Sequence, residues 1–342
     1  MTLQDFKARL RDGNLAGFYI ITGEEDYLKG YYRRELVRAA AGDETFAMFN
    51  HVSFDGDDTE LVAIRDSLYA PPMMSDFKVV EWRNAPIDSL KEGEIKLLLE
   101  IAEGKDDFPY AVFVITARTG AFETTERKPS KLHTRLQAGG FDVLVLDKST
   151  DAQLLSWLKR HFDKEGIKVS ADTLSAMLFR VGHSMEQLDR EVVKLSSYAK
   201  AGGRDYVSSE DVSEICSATV ECEAFALSNA IIEKNMEKAF LALTDMKAQR
   251  IEPTVVLAQL SKTYSDLLSI SLFMDEGMEA DMIATTMKFH PYKLSLYMRA
   301  AKKLGTRALS ASLEALVKCD GAAKMGGNRG FGPIEMFITQ NI

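Results

Sequence analysis

The sequence predicts an α/β domain followed by domains built of helices alone. Short apolar runs of buried-strand type alternate with helical spacing through residues 1–147. Beyond residue 150 the strand pattern stops and helical spacing continues to the end. At 342 residues, the chain also exceeds one typical domain. Strands that alternate with helices pair in parallel and bury both sheet faces, because each crossover helix must lie on one of them.

An amphipathic start (Leu3, Phe6, Leu10) leads to FYIIT at 18–22, a strand ended by Gly23. EEDYLKGYYRRELVRAA follows as a helix with acid in its first turn and base later, which suits the helix dipole. Further strands are expected at 48–55, 77–82, 111–116 and 141–147, with helices at 58–69, 88–103 and 129–138 between them. DAQLLSWLKRHFDKEG, SADTLSAMLFRVG, SMEQLDREVVKLSSYAK and SSEDVSEIC then show helical spacing and open on N-cap residue types. From 220 the expected helices are 222–234, 235–249, 252–275, 278–286, 290–303, 306–322 and 333–341. The divisions drawn are 1–147, 148–215 and 216–342.

The formal net charge is -9, and residues 1–140 carry 18 Lys and Arg against 24 Asp and Glu. Phosphate binding needs clustered cations, so a self-sufficient DNA-binding protein is not expected, although contact with DNA inside an assembly remains open. Cys216, Cys222 and Cys319 form neither a zinc pattern nor a disulfide framework. The N-terminal MTLQDFKARLRDGN lacks an apolar signal region, and no 18-residue apolar run occurs, so a cytoplasmic protein is expected.

A phosphate-binding loop would sit between the first strand and helix. It needs a glycine-rich turn of free amides, a lysine, and a serine or threonine for magnesium. The segment here is TGEEDYLKG: Gly23, Glu24, Glu25 and Asp26 occupy the loop, without the Gly-Lys-Ser/Thr ending. Three acids would repel a triphosphate. No catalytic, cofactor or metal site is expected; the five histidines (51, 133, 161, 183, 290) are scattered. In DSLYAPPMMSDFKVVEW at 66–82, Pro71 and Pro72 must stop a helix and hold the chain extended. Met73 and Met74 follow, and composition alone favours them as core filling. KMGGNRGFG at 324–332, with Lys324 and Arg329, reads as a connector that could also touch phosphate.

Several segments resemble the delta subunits of DNA polymerase III, the clamp-loader family. FYIITGEEDYLK looks like that family's opening strand, decayed phosphate loop and helix. PPMMSDFKVVEW resembles its two apolar residues, polar pair and next strand. SMEQLDREVVKLSSYAK with the 207–212 stretch, residues 224–246, and LEALVKCDGAAKMG at 313–326 follow in family order. The ordered set carries the resemblance, and it spans nearly the whole chain.

The resemblance implies an AAA+-like α/β domain without a working ATPase motif, a helical lid and a helical collar. It implies a subunit of a DNA-directed DNA polymerase assembly with no catalytic site of its own. The partners implied are the beta sliding clamp, and gamma/tau ATPase subunits with delta-prime in a five-subunit ring. Primed DNA is met only within that assembly, near the nucleoid. Met73 and Met74 become the clamp-binding wedge, where many members carry Leu or Phe. A P-loop-type nucleotide enzyme lacks its lysine motif here. Delta-prime, which shares the fold, typically carries a zinc-binding cysteine group and a Ser-Arg-Cys motif that are missing.

Overall fold

The computed structural model describes residues 1–41, 44–324 and 330–342. The chain divides into two compact units, Met1–Ser149 and Thr150–Ile342.

The first unit runs α1 (Leu3–Asp12), β1 (Gly17–Thr22), α2 (Asp26–Ala41), α3 (Glu44–Asn50), β2 (His51–Asp55), α4 (Leu61–Tyr69), β3 (Lys78–Ala85), α5 (Glu92–Glu103), β4 (Ala111–Ala117), α6 (Lys131–Ala138) and β5 (Asp142–Val145). The five strands form one sheet in the order β2-β3-β4-β1-β5, and every pairing is parallel.

Both sheet faces are buried, as the near-continuous apolar strands require. Because strand side chains alternate, Phe18 and Ile20 of β1 enter one core while Tyr19 and Ile21 enter the other. β4 does the same with Phe113 and Ile115 against Val112 and Val114. The first face is covered by Ile64 and Leu68 of α4, Leu98 and Ile101 of α5 and Leu136 of α6. The second face receives Phe6 of α1 and Tyr32 and Leu36 of α2.

Two local expectations shift. Residues 48–50, expected as strand, end α3, and β2 begins at His51. Met48 and Phe49 face water and so lack the burial that an apolar strand run was expected to have. The helix expected from 88 starts at Glu92, after a single three-ten turn at Ile87–Ser89. There the Lys91 amide is capped by the Glu94 carboxylate at 2.7 Å.

The second unit contains α7 (Asp151–Lys164), α8 (Ala171–Val181), α9 (Met185–Ala201) and α10 (Ser209–Ile215). The side chains of Thr150, Ser170, Ser184 and Ser208 cap them by accepting from the third residue of each helix. Two short strands also occur here, contrary to the expectation that none follow residue 150. β6 (Lys168–Val169) pairs in parallel with β7 (Tyr206–Val207). At two residues each, they carry too little periodicity to be read from sequence.

α11 (Val220–Ile232), α12 (Met236–Ala248), α13 (Pro253–Asp275), α14 (Ala280–Met287), α15 (Pro291–Leu304), α16 (Thr306–Lys324) and α17 (Gly332–Asn341) complete the unit. The long α13 sends Leu260, Tyr264, Leu267 and Ile270 into one core with Phe225, Leu243, Tyr297 and Phe337. Among the described residues no single helix is long and apolar enough to cross a membrane.

Candidate partner-binding edge and closed phosphate loop

The loop after β1 is tied down by backbone bonds. Leu146 gives its amide hydrogen to the Thr22 carbonyl at 2.7 Å, and Glu25 gives its own to the Leu146 carbonyl at 2.9 Å. Gly23 lies at φ 114, and a Cβ there would come within 2.3 Å of the Leu146 oxygen, so only glycine fits this close approach. The Glu25 amide is thus occupied by the chain itself.

Lys29, in the first turns of α2, is buried and turned inward. Its Nζ donates to the Ala117 carbonyl at 3.2 Å and to Thr119 Oγ1 at 2.9 Å, and it pairs with Asp26 Oδ1 at 2.9 Å. Thr119 in turn donates to Asp26 at 2.8 Å. Burial pushes the Asp26 carboxyl up, but the bonds from Lys29 and Thr119 outweigh it and hold the carboxyl below its ordinary value. Burial raises the Glu25 carboxyl. The loop's lysine therefore closes the strand ends instead of reaching outward.

The second feature is the segment after α4. Ala70 leaves the helix in an extended conformation (φ -74, ψ 116), as a residue before proline must. The Tyr110 hydroxyl reaches the last α4 carbonyls, Leu68 at 3.3 Å and Tyr69 at 3.2 Å. Asn50 then holds Met73 at both backbone groups. Its Nδ2 donates to the Met73 carbonyl at 2.8 Å, and its Oδ1 accepts from the Met73 amide at 2.7 Å. Met74 takes a left-handed φ of 53. Lys78 is buried nearby and donates to the Phe49 carbonyl at the end of α3; burial lowers its ammonium pKa.

Met73 is 51% exposed and Met74 81% exposed, so neither fills the core as composition alone suggested. Met48 and Phe49, which precede the Asn50 clamp, are exposed as well. Adjacent large apolar side chains in water are a feature of partner-binding surfaces.

Sequence reasoning missed Asn50, and it missed Glu81. Glu81 sits on β3 with its side chain buried, paired with Arg33 of α2 and with His51 of β2, the latter at 2.8 Å. Burial opposes its charge, but the bonds from His51 and Arg33 prevail and hold its carboxyl below the ordinary value. A strand glutamate inside an apolar run, KVVEW, was the available signal.

Among the described residues no group of three or more His, Cys, Asp or Glu is arranged to hold a metal ion. Cys216, Cys222 and Cys319 are buried and unpaired, and burial pushes the Cys216 thiol up to about 12 and the Cys222 thiol up to about 11. Of the 324–332 segment, residues 325–329, with Arg329, lie outside the described residues.

A parallel five-stranded α/β unit followed by a mainly helical unit defines a fold of the α/β plus all-α class. Residues 221–341 match the family described as DNA polymerase III delta subunit, C-terminal domain. The chain is 23% identical over 336 residues to the DNA polymerase III subunit delta of Bacillus subtilis (strain 168), covering 97% of this chain and 94% of that one. It is 21% identical over 229 residues to the probable DNA polymerase III subunit delta of Aquifex aeolicus, covering 66% of this chain and 62% of the other. In structure it is similar to the Bacillus subtilis DNA clamp loader delta protein, with a TM-score of 0.58, 21% identity and 98% of both chains covered. The similarity to DNA polymerase III delta subunits covers nearly the whole chain, and residues 221–341 match that family's C-terminal domain.

Proposed function

We propose that this delta-type subunit binds the beta sliding clamp and opens it for loading on primed DNA, with Met73 and Met74 as the wedge. The observation that carries the reading is the exposure of both side chains on a segment anchored at Met73 and preceded by Pro71 and Pro72. A stiff approach loses little entropy when its tip is bound. Burying two methionines contributes roughly 1.5–3 kcal/mol each if complete. Such binding opens a clamp only by favouring its open form over its closed form.

The chain itself neither binds nor hydrolyses ATP on this reading, so the switch lies in neighbouring subunits. The support is local: Lys29 is committed to Ala117, Thr119 and Asp26, and the Glu25 amide to Leu146. We assign residues 1–147 as the AAA+-like domain, 148–215 as a lid and 216–342 as a collar that joins gamma/tau and delta-prime subunits in a five-subunit ring. The complex would work in the cytoplasm, at the nucleoid. A pull-down with the bacterial sliding clamp, with and without ATP, tests the reading. Retention of the isolated chain without ATP supports it, and no retention in either condition removes it.

A further inference from the structure

We propose that Asn50 is the positioning residue of the clamp-binding tip: its carboxamide sets the direction in which Met73 and Met74 leave the fold. The inference rests on the reading of those methionines as the clamp contact.

A carboxamide carries a donor and an acceptor in one plane, which matches the paired N–H and C=O of a single residue. Asn50 uses both on Met73, at 2.8 and 2.7 Å, much as a neighbouring strand would. Asn50 is itself buried, and it closes α3 just before β2. Lys78 fixes that helix end by bonding the Phe49 carbonyl, so the clamp stands on a rigid base. The chain turns immediately after the clamped residue, because Met74 is in the left-handed region at φ 53. A non-glycine residue persists there only when its surroundings hold it. The tip is thus stiffened before Met73 by two prolines, gripped at Met73 by Asn50, and turned outward at Met74.

No other side chain among the described residues bonds the Met73 backbone. Without the carboxamide the tip samples other conformations, and apparent affinity falls with the competent fraction. The signature is therefore a slower association with the clamp more than a faster dissociation.

The unmodified chain tests the grip first. By hydrogen exchange the Met73 amide should be protected well beyond those of Met74 and Ser75, and exchange of Met73 at loop rates would overturn the inference. Asn50→Leu and Asn50→Asp should each weaken clamp binding by about tenfold or more, chiefly in the association rate, at a competent fraction of about a tenth or less. Asn50→Asp adds a readout that a general loss of packing does not. Its carboxylate accepts from the Met73 amide but cannot donate to the carbonyl, whereas its protonated form does both. Affinity of Asn50→Asp, relative to the unmodified chain, should rise as pH falls, while that of Asn50→Leu stays flat. Unchanged association rates in both variants, with Met73→Ser/Met74→Ser abolishing binding, would sink the positioning role alone. Normal binding by Met73→Ser/Met74→Ser would instead sink the wedge reading beneath it.

Discussion

Glu25 gives its amide hydrogen to the carbonyl of Leu146 at 2.9 Å, which ties the loop after β1 to the end of β5. On the proposed reading, the position where a nucleotide-binding fold would cradle phosphate is closed by the chain's own backbone. Calorimetry with magnesium and ATP should give no heat of binding at micromolar concentrations. Lys29→Ala should leave that result unchanged and lower the melting temperature, since Ala117, Thr119 and Asp26 lose their buried partner. Micromolar ATP affinity that disappears in Lys29→Ala would show the loop to be functional.

The same closure makes Gly23 hard to replace. Gly23→Ala adds a methyl group 2.3 Å from the Leu146 oxygen, at a φ of 114 that L side chains rarely adopt. Backbone strain of this kind costs about 1–3 kcal/mol before the steric overlap is counted. Urea unfolding should show a loss at or above that range. A variant that unfolds at the wild-type midpoint would mean that the loop is free to move away from β5.

Most of the sheet was legible because β1, β3 and β4 are largely apolar runs buried on both faces, and FYIIT, FKVVEW and AVFVIT have few other uses. The same property hid Glu81, since a buried carboxylate is legible only through Arg33 and His51, which are distant in sequence. Met73 and Met74 show the converse limit. Their composition fits a core, yet both are exposed, on a segment whose backbone bonds to Asn50, 23 residues earlier. β6 and β7 were missed because a pairing of two residues leaves no periodic trace.

Glu81 makes the first unit sensitive to acid. Its folded pKa is depressed below the ordinary 4.5, so its contribution is fully present above that pH. The contribution is lost as pH falls through the lower, folded value. Glu81→Gln should destabilise the protein near neutral pH by an amount toward the lower end of the ~3–5 kcal/mol seen when one partner of a buried pair is removed. Arg33 and His51 keep some solvent contact, which favours that lower end. The difference between the two proteins should shrink as pH drops below about 4.5, the ordinary carboxyl value. Parallel stability curves for wild type and Glu81→Gln down to about pH 3, well below that value, would rule the pair out as the cause.

Among the described residues, the two cores on either side of the sheet draw on side chains from residue 1 to residue 146 only. A fragment of residues 1–149 should therefore fold by itself and retain clamp binding. It should fail to join the other loader subunits, because the proposed collar lies in 216–342. Size-exclusion chromatography with those subunits checks both halves of the statement. Normal assembly of the fragment would disprove the collar assignment.

The most direct test of the wedge removes its apolar surface and keeps its backbone. In Met73→Ser/Met74→Ser the Asn50 bonds remain available, because they engage only the Met73 main chain. Both side chains already face water in the free protein, so little packing is lost and the melting temperature should stay within a few degrees. Buried core methionines would behave differently, with a loss of about 2–5 kcal/mol for each truncation. Clamp affinity should fall by about a hundredfold or more, since two buried methionines contribute roughly 3 kcal/mol at the least and each 1.4 kcal/mol is tenfold. The loss should appear chiefly as faster dissociation, which separates it from the slower association expected when Asn50 is replaced. Surface plasmon resonance with immobilised clamp reads both rates. A double variant that melts normally and dissociates at the wild-type rate would leave the clamp contact to be sought elsewhere on the first unit.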